Sequence, residues 1–322
     1  MAVASAGDRI SWESALRDAW QARCGAARNL KLPSAVELSG RDRVRLWLPA
    51  AAVTANMQTD AAAFESWLLA LKAWCDIPAA TLAWETPAEC GDGHYQRFLY
   101  RVQHFARLFP WVAVEAPERL EALLTRNLGA GPFVLNAADS KPPKRDGTRG
   151  EAALERALLR DGRLLSLCRL DVLDQQFPVG LFREPKSKKT AIFTCGKSAI
   201  DLVGWNAHDR RLVLFELKAA GNVKAGMVSE LFFYAMLLQD LVRRDDFGAK
   251  PCDNTRATIT PAMAKTAARI EAYLLAGDFH PLLEGGGKLA LLNQACHDSG
   301  DMVRFGRIVI GDAALTVLDP VP

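Results

Sequence analysis

Two apolar stretches in the second half of the chain carry charged residues where water should be scarce. Residues 197–221, KSAIDLVGWNAHDRRLVLFELKAAG, contain two runs of apolar residues joined by the polar tetrapeptide NAHD. This pattern predicts a β-hairpin. Both faces of its second run are mostly apolar, which is typical of a strand covered on both sides. A buried charge without a partner is costly, so Asp201, Glu216 and Lys218 must have partners in the fold.

The alternation of side chains along a strand predicts that the two acids share one face of the hairpin. Glu216 and Lys218 fall on the same side of the second strand, because they are two residues apart. If the turn occupies residues 206–209, the register sets Asp201 opposite Leu214 and therefore on the Glu216 face. The two carboxylates are then diagonal neighbours with Cα atoms about 7–8 Å apart, close enough to hold one hard cation.

Two acids and a lysine in this arrangement favour metal-assisted hydrolysis of a phosphodiester. Paired carboxylates can hold a magnesium ion, which polarises the phosphate and lowers the pKa of its bound water. A lysine beside them can stabilise the attacking hydroxide or the charge that develops on the phosphate. The competing interpretation is a solvated strand face that carries ExK by chance. The apolar flanks and the Asp one hairpin length upstream argue against it.

The hairpin and the helix that follows it resemble a nuclease motif. The segment IDLVGWNAHDRRLVLFELKA, followed by ELFFY, is similar to the PD-(D/E)xK nuclease superfamily, which has the restriction-endonuclease-like fold. By this resemblance Asp201 is the motif Asp, Glu216 its second acid and Lys218 its lysine. The resemblance also implies that Leu217, between the acid and the lysine, joins Asp201 and Glu216 as a metal ligand.

The resemblance extends to the helix before the hairpin, where it leaves one assignment open. The family places a Glu in an opening helix of the form ExxLxxxL, and Glu151 in EAALERALL fits this form. Glu155, one helical turn later on the same face, is the competing candidate. Two positions depart from the family pattern: Ile200 stands where the proline of the family name belongs, and Glu230 stands where many relatives have Gln.

The order of elements predicts an α/β fold with a mixed central sheet flanked by helices. Residues 136–150, NAADSKPPKRDGTRG, lack apolar periodicity and are rich in Pro, Gly and basic residues, which predicts a linker. We therefore expect a helix-rich first domain of unknown role over residues 1–140. A nuclease-like domain of the restriction-endonuclease-like fold follows over residues 141–322.

Composition narrows the compartment and the partners. The chain begins without a basic cluster and apolar stretch of the secretory kind, lacks a long apolar run, and holds 7 scattered cysteines without a CxxC pair. We expect a cytoplasmic protein that does not bind membranes. The net charge of +3 permits a phosphate-rich partner without requiring one. The basic residues before and within the hairpin region fit either a solvated loop or phosphate contacts: Arg183, Lys186, Lys188, Lys189 and Lys197.

The sequence therefore predicts a nuclease that uses Mg²⁺ or Mn²⁺ to cut nucleic acid, with DNA favoured over RNA. The resemblance implies a role in restriction, phage defence or repair. One alternative is a module on the same fold that binds nucleic acid or serves as a scaffold without cutting. Another is an enzyme that uses the same carboxylates to hydrolyse a different substrate. A homodimer and a monomer both remain open.

Overall fold

The fold is mixed α/β, as the sequence predicted. A computed structural model describes residues 11–24, 30–127, 129, 131–136, 150–194, 198–219, 224–249, 257–284, 287–311 and 314–319. The helices are α1 Trp12–Cys24, α2 Ala50–Val53, α3 Phe64–Cys75, α4 Gly93–Leu108, α5 Pro117–Asn127, α6 Glu151–Asp161, α7 Arg163–Cys168, α8 Gly226–Arg243, α9 Pro261–Ala264 and α10 Lys288–Asp298. Short 3₁₀ helices cover Asp60–Ala62, Lys188–Thr190 and Pro281–Leu283.

The strands fall into three sheets within the described part of the chain. They are β1 Glu37–Ser39, β2 Val44–Leu48, β3 Ala80–Trp84, β4 Val112–Val114, β5 Phe133–Leu135, β6 Val172–Pro178, β7 Leu181–Arg183, β8 Ala199–Asn206, β9 Arg211–Lys218, β10 Phe247–Ala249, β11 Arg269–Ala276, β12 Val303–Ile310 and β13 Leu315–Val317.

The largest sheet of the described residues has six strands in the order β13-β12-β11-β9-β8-β6. Neighbours β6, β8 and β9 pair antiparallel, β9, β11 and β12 pair parallel, and β13 is antiparallel to β12. Helix α8 lies between β9 and β11 in the chain, and α10 lies between β11 and β12. These are the crossovers that adjacent parallel strands require. The predicted mixed sheet with flanking helices is confirmed.

Strand β9 is buried on both faces of this sheet along all 8 of its residues. Leu212 and Leu214 belong to the apolar cluster that contains α8 and α10. Val213 and Phe215 belong to a second cluster, which contains α6 and α7. The alternating apolar residues of β9 thus pack against a layer of helices on each side of the sheet, which explains why the run is apolar at nearly every position.

Helix α8 is buried along nearly its whole length. It packs against β9 and β11 on one side and against α3 and α4 on the other. A helix covered on all sides has to be apolar nearly all round, and α8 is. Within the described residues, no helix combines the length and the apolar character that crossing a membrane would need.

Residues 1–140, called the first segment below, share an apolar core with residues 141–322 in the described part of the chain. The segment predicted to be helix-rich also contains a four-stranded sheet, β1-β2-β3-β4. The last strand of this segment, β5, belongs to another sheet, where it pairs with β7 and β10, two strands that follow the predicted linker. Residues 137–149, which make up nearly all of that linker, lie outside the described residues. The division into domains at 1–140 and 141–322 stays a prediction.

Candidate active site

The hairpin of β8 and β9 brings the motif acids together, with a register different from the one predicted. Asn206 pairs with Arg211 and Leu202 with Phe215. Continued by one residue, this register sets Asp201 across from Glu216, whereas the prediction set it across from Leu214. The prediction was wrong by two positions.

The reason for the shift is the position of the turn, which occupies residues 207–210 instead of 206–209. Arg210 adopts a left-handed φ of 49°, and the Asn206 side chain accepts a hydrogen bond from the Asp209 amide at 3.0 Å. A shift of two residues leaves every side chain on the same face. The predicted shared face of the two acids therefore survives the correction of the register.

Lys218 lies between two carboxylates. Its ammonium contacts Glu216 Oε1 and donates to Glu230 Oε2 at 3.1 Å. Both the lysine and Glu216 are almost fully buried. Burial alone would lower the pKa of Lys218, but the two carboxylates more than offset it and raise the pKa above its ordinary value. The motif lysine is therefore held in place as a cation.

Glu230, one of the two residues at which the sequence departs from the PD-(D/E)xK pattern, belongs to this site. It accepts a hydrogen bond from Tyr234 at 2.9 Å, one helical turn along α8. Gln58 of the first segment donates to both of its oxygens, at 2.7 and 2.8 Å. With Lys218 as a third partner, Glu230 has its acceptors satisfied. Glu230 therefore anchors the lysine in the wall of the cavity.

A glycine at the start of α8 allows the Gln58 contact. A Cβ on Gly226 would lie 2.3 Å from the carbonyl carbon of Gln58, closer than any side chain could approach. Ser66 and Asp60 complete the junction: Ser66 donates to the Ala225 carbonyl at 2.7 Å, and Asp60 accepts from the Ala225 amide at 2.8 Å. The first segment is thus packed tightly against the helix that carries Glu230.

Glu216 is only half satisfied. Its Oε1 contacts Lys218, whereas its Oε2 is buried and has no donor in the described part of the chain; in its protonated form Glu216 can donate a hydrogen bond to Glu230. Burial, together with the negative charges of Glu230 and Asp201, raises the pKa of Glu216 well above its ordinary value. A buried acceptor without a donor costs about 1–3 kcal/mol. This oxygen is therefore suited to accept a ligand.

Asp201 is partly buried beside it. Its Oδ2 accepts a hydrogen bond from the Leu217 amide at 3.0 Å. Burial raises the pKa of Asp201 to about 7, and the negative charges of Glu230 and Glu155 act in the same direction. Burial therefore disfavours the charged form of Asp201 until a cation is bound. An added cation would lower the pKa of both acids.

The two candidate carboxylates of α6 occupy different positions. Glu151 lines the cavity beside Asp201 and accepts a long hydrogen bond of 3.5 Å from the Ala219 amide. Glu155 is buried, and both of its oxygens accept from Gln176 Nε2 at 3.2 Å. Of the alternatives that the sequence left open, Glu151 is the one in contact with the cavity.

Gln176 is itself in an unusual conformation. It has a φ of 54°, although it is not glycine, and the pairing of β6 with β8 skips it between Gln175 and Phe177. The register of β6 and β8 sets Gln176 across from Asp201, on the side of β8 that faces away from β9. Non-glycine residues in this region of φ are strained and concentrate at functional sites. The distortion turns Gln176 toward Glu155 and the cavity.

These side chains surround a cavity of about 300 Å³. Its lining is almost wholly polar: Asn56, Gln58, Arg97, Glu151, Gln176, Ser198, Ala199, Asp201, Glu216, Lys218, Glu230 and Tyr234. The structure thus brings together the predicted Asp201, Glu216, Lys218 and Glu151. Sequence reasoning missed Gln58, Arg97 and Gln176, because no local motif connects them to the hairpin.

The carboxylate oxygens of the cavity are suitable ligands for a magnesium or manganese ion. Among the described residues, no three or more His, Cys, Asp or Glu side chains form a ready metal cluster. Mg²⁺ needs fewer protein ligands, because it keeps several waters and binds through one or two carboxylates. The hard oxygens of Asp201 and Glu216, one of them without a donor, fit this requirement. Leu217 could contribute only backbone atoms, and its role as a ligand stays a prediction.

Outside the cavity lining lie the predicted basic contacts that the structure describes: Arg183, Lys186, Lys188 and Lys189. Lys186, Lys188 and Lys189 are exposed on the segment after β7, which belongs to the three-stranded sheet. Lys186 contacts the side-chain oxygen of Asn136. Lys197 is outside the described residues. The loop lysines remain candidates for holding a backbone phosphate at a distance from the acids.

Comparisons with known proteins give no match. No family model, no curated protein and no solved structure matches the chain significantly. The functional assignment therefore depends on the motif and on the geometry of the site.

Proposed function

We propose that this protein is a nuclease of the PD-(D/E)xK type that uses Mg²⁺ or Mn²⁺ to hydrolyse phosphodiester bonds, with DNA as the favoured substrate. The observation that carries the proposal is the meeting of Asp201, Glu216 and Lys218 on one face of one hairpin, at a polar cavity. The donorless oxygen of Glu216 supports it, because buried carboxylates are normally satisfied by hydrogen bonds.

In this proposal the acids hold the cation and the lysine acts on the phosphate. Asp201 and Glu216, with the backbone of Leu217, would bind the metal. When bound, the metal would polarise the phosphate and lower the pKa of its water. Lys218 keeps its charge between Glu216 and Glu230 and would stabilise negative charge on the phosphate oxygens.

The remaining side chains position these groups. Glu230 fixes the lysine, and Gln58 and Tyr234 fix Glu230. Glu151 is the α6 carboxylate that we place in the site, because it lines the cavity while Glu155 is bound to Gln176. A cytoplasmic role in restriction, phage defence or repair, as a monomer or a homodimer, belongs to the same proposal.

One observation favours a second candidate, a module that binds nucleic acid without cutting it. Lys218 already forms ion pairs with Glu216 and Glu230, and this closed arrangement occupies one oxygen of the metal-binding acid. If that ion pair persists in solution, the same cavity could recognise a phosphate and leave it intact.

The decisive test is cleavage by the full chain under controlled metal conditions. Supercoiled, linear and single-stranded DNA and RNA would be incubated with Mg²⁺, Mn²⁺ or excess chelator, beside an Asp201→Ala control. We expect metal-dependent cleavage by the parent alone. Cleavage that persists in chelator or in the control would refute the assignment. Metal-independent binding without cleavage would instead favour the second candidate.

A further inference from the structure

Arg97 is a buried arginine in the wall of the candidate active site. It lies on α4, in the first segment, and is 4% exposed. Its Nη2 contacts the hydroxyl of Thr194 and donates to the hydroxyl of Ser198 at 2.7 Å. The guanidinium lies 4.9 Å from the centre of the Phe233 ring. Arg97 and Ser198 both line the cavity that contains Asp201 and Glu216.

The partners of Arg97 set it apart from other buried arginines. Arg101, one helical turn further along α4, forms an ion pair with Glu65 at 3.0 Å. Arg211 forms one with Glu271 at 2.9 Å. Among the described residues, no carboxylate lies within ion-pair distance of Arg97, whose acceptors are two neutral hydroxyls. The lack of an acceptor for its Nε is not distinctive, since the Nε atoms of Arg101 and Arg211 also have no hydrogen-bond partner among the described residues.

A buried cation without an acid is costly unless it meets an anion. The guanidinium fork matches the geometry of a phosphate, and its charge-assisted hydrogen bonds are among the strong ones. Ser198 and Thr194 can donate as well as accept, so both hydroxyls can turn toward a phosphate oxygen. The acids of the cavity repel a polyanion, and Lys218 is already held by two carboxylates. Arg97 is the cavity cation that remains available.

The subsite is supported by close packing between α4 and the segment that carries Thr194. A Cβ on Gly93, in the first turn of α4, would lie 3.0 Å from the backbone of Phe193 and Thr194. The absence of a side chain at Gly93 lets the two backbones meet. Thr194 is therefore fixed against the helix that carries Arg97, as a preformed binding site requires.

We infer that Arg97, Ser198 and Thr194 form a subsite that binds one phosphate of the nucleic-acid backbone, in the same cavity as the motif acids. The nature of this ligand rests on the proposed function. The subsite gives the first segment a direct part in substrate binding, through a residue that no motif of the hairpin predicts.

The test combines single-phosphate changes in DNA with changes at Arg97. Full-length protein carrying Asp201→Asn, in chelator to prevent cleavage, would bind duplexes that each contain one neutral methylphosphonate linkage. The protein carrying Asp201→Asn alone, the parent of this experiment, should bind the duplex about tenfold more weakly when one particular linkage is neutral, because one charge-assisted contact is lost. Arg97→Met should bind unmodified DNA about tenfold more weakly and lose nothing further at that linkage. Arg97→Lys should recover part of the loss, because it keeps the charge without the fork.

The matched control is Arg101→Met on the same helix, which should lower stability and leave the pattern across linkages unchanged. Circular dichroism would establish that each variant is folded. If Arg97→Met loses affinity at the same linkage as the parent, the subsite is refuted, although metal-dependent cleavage by the wild-type chain would still support the nuclease. If the pattern depends on Arg97 and the wild-type chain never cuts, the nuclease fails and the phosphate subsite stands. A parent that binds no nucleic acid overturns the subsite.

Discussion

The two ends of strand β9 both bury an acid, and they differ in how completely that acid is satisfied. At the start of the strand, Glu271 of the neighbouring β11 accepts from Arg211 at 2.9 Å and from Arg269 at 2.6 Å, so each oxygen has a donor, and Tyr273 donates at 3.4 Å as well. At the end, Glu216 has one oxygen without a donor in the described part of the chain. Both acids are 2% exposed.

Equal burial thus accompanies two different kinds of site. A buried acid with a complete set of donors stabilises the sheet and offers nothing to a ligand. A buried acid with a missing donor, beside Asp201 with its raised pKa, keeps a binding capacity that the fold itself does not use. The completeness of the hydrogen bonds, more than the burial of charge, separates the candidate active site from the structural ion pair.

The largest expected effect is on cleavage at the unsatisfied end. Glu216→Gln should reduce single-turnover cleavage in Mg²⁺ by about a thousandfold or more, because a neutral amide binds the cation weakly and does not neutralise its charge. The free energy of unfolding in chelator should change little, since relief of repulsion with Asp201 and Glu230 offsets the lost ion pair with Lys218, which keeps its pair with Glu230. Denaturant titration of the same sample measures it. A variant that cuts within tenfold of the parental rate would remove Glu216 from the site.

At the satisfied end the effect should fall on stability. Glu271→Ala should lower the free energy of unfolding by about 3 kcal/mol, because it leaves the buried Arg211 with only the exposed Asp209, at 3.4 Å, as an acid partner. Cleavage per folded molecule should stay unchanged. Glu115→Ala is the control, since its pair with Arg45 is exposed and should contribute less than about 1 kcal/mol. Equal losses from the two substitutions would break the comparison.

A smaller effect concerns pH at the unsatisfied end. The pKa of Asp201 is about 7 in the folded protein, and an unfolded Asp has a pKa of about 3.9. The native state therefore keeps a proton that the unfolded state has lost, and the parent loses stability as pH rises from about 4 to 7.

Asp201→Asn, which does not titrate, should consequently gain stability over the parent across that window and hold a steady advantage above it. The full difference of about three between the two pKa values corresponds to about 4 kcal/mol, and because Asp201 is only partly buried we expect solvent screening to reduce the advantage to about 1–2 kcal/mol. Denaturation in chelator at pH 5 and pH 8 measures the difference. An advantage that shrinks toward pH 8 would mean that burial does not raise the pKa of Asp201.

The smallest change in free energy should come from charges that are exposed instead of buried. Replacing Lys186, Lys188 and Lys189 by Ala should weaken DNA binding for all sequences, and each lost phosphate contact should reduce the salt slope by about 0.9. Binding to duplex DNA over a range of salt concentrations measures this slope. The control triple replaces exposed basic residues of the first segment: Arg23, Lys31 and Arg41. An equal slope in both triples would assign the loop to solvated surface.

The sequence was sufficient to predict which face of the hairpin holds the acids, but not the register. Alternation depends on whether a residue is odd or even along the strand, so an error of two positions left Asp201 and Glu216 together. The register depends on where the turn closes. That was decided by the left-handed backbone of Arg210 and by the hydrogen bond from the Asp209 amide to the Asn206 side chain, which local composition did not reveal.

The rest of the cavity could not be predicted from the motif. Gln58 lies 172 residues from Glu230 in the chain, and Arg97 lies 101 residues from Ser198. Tertiary packing alone brings these pairs together. Residues of this kind carry no periodic or spacing signal, because their role depends on how α4 and the loop before α3 dock against α8.

Helix α8 sets a limit on protein engineering. Its apolar residues are covered by the central sheet on one side and by α3 and α4 on the other. A shortened chain beginning near residue 141 would bare the α3 and α4 side of that helix to water, creating a large apolar patch of the kind that drives aggregation. We therefore expect residues 141–322 alone, fused to another protein, to be insoluble or misfolded. A fusion would have to carry the first segment with it or redesign the exposed face of α8.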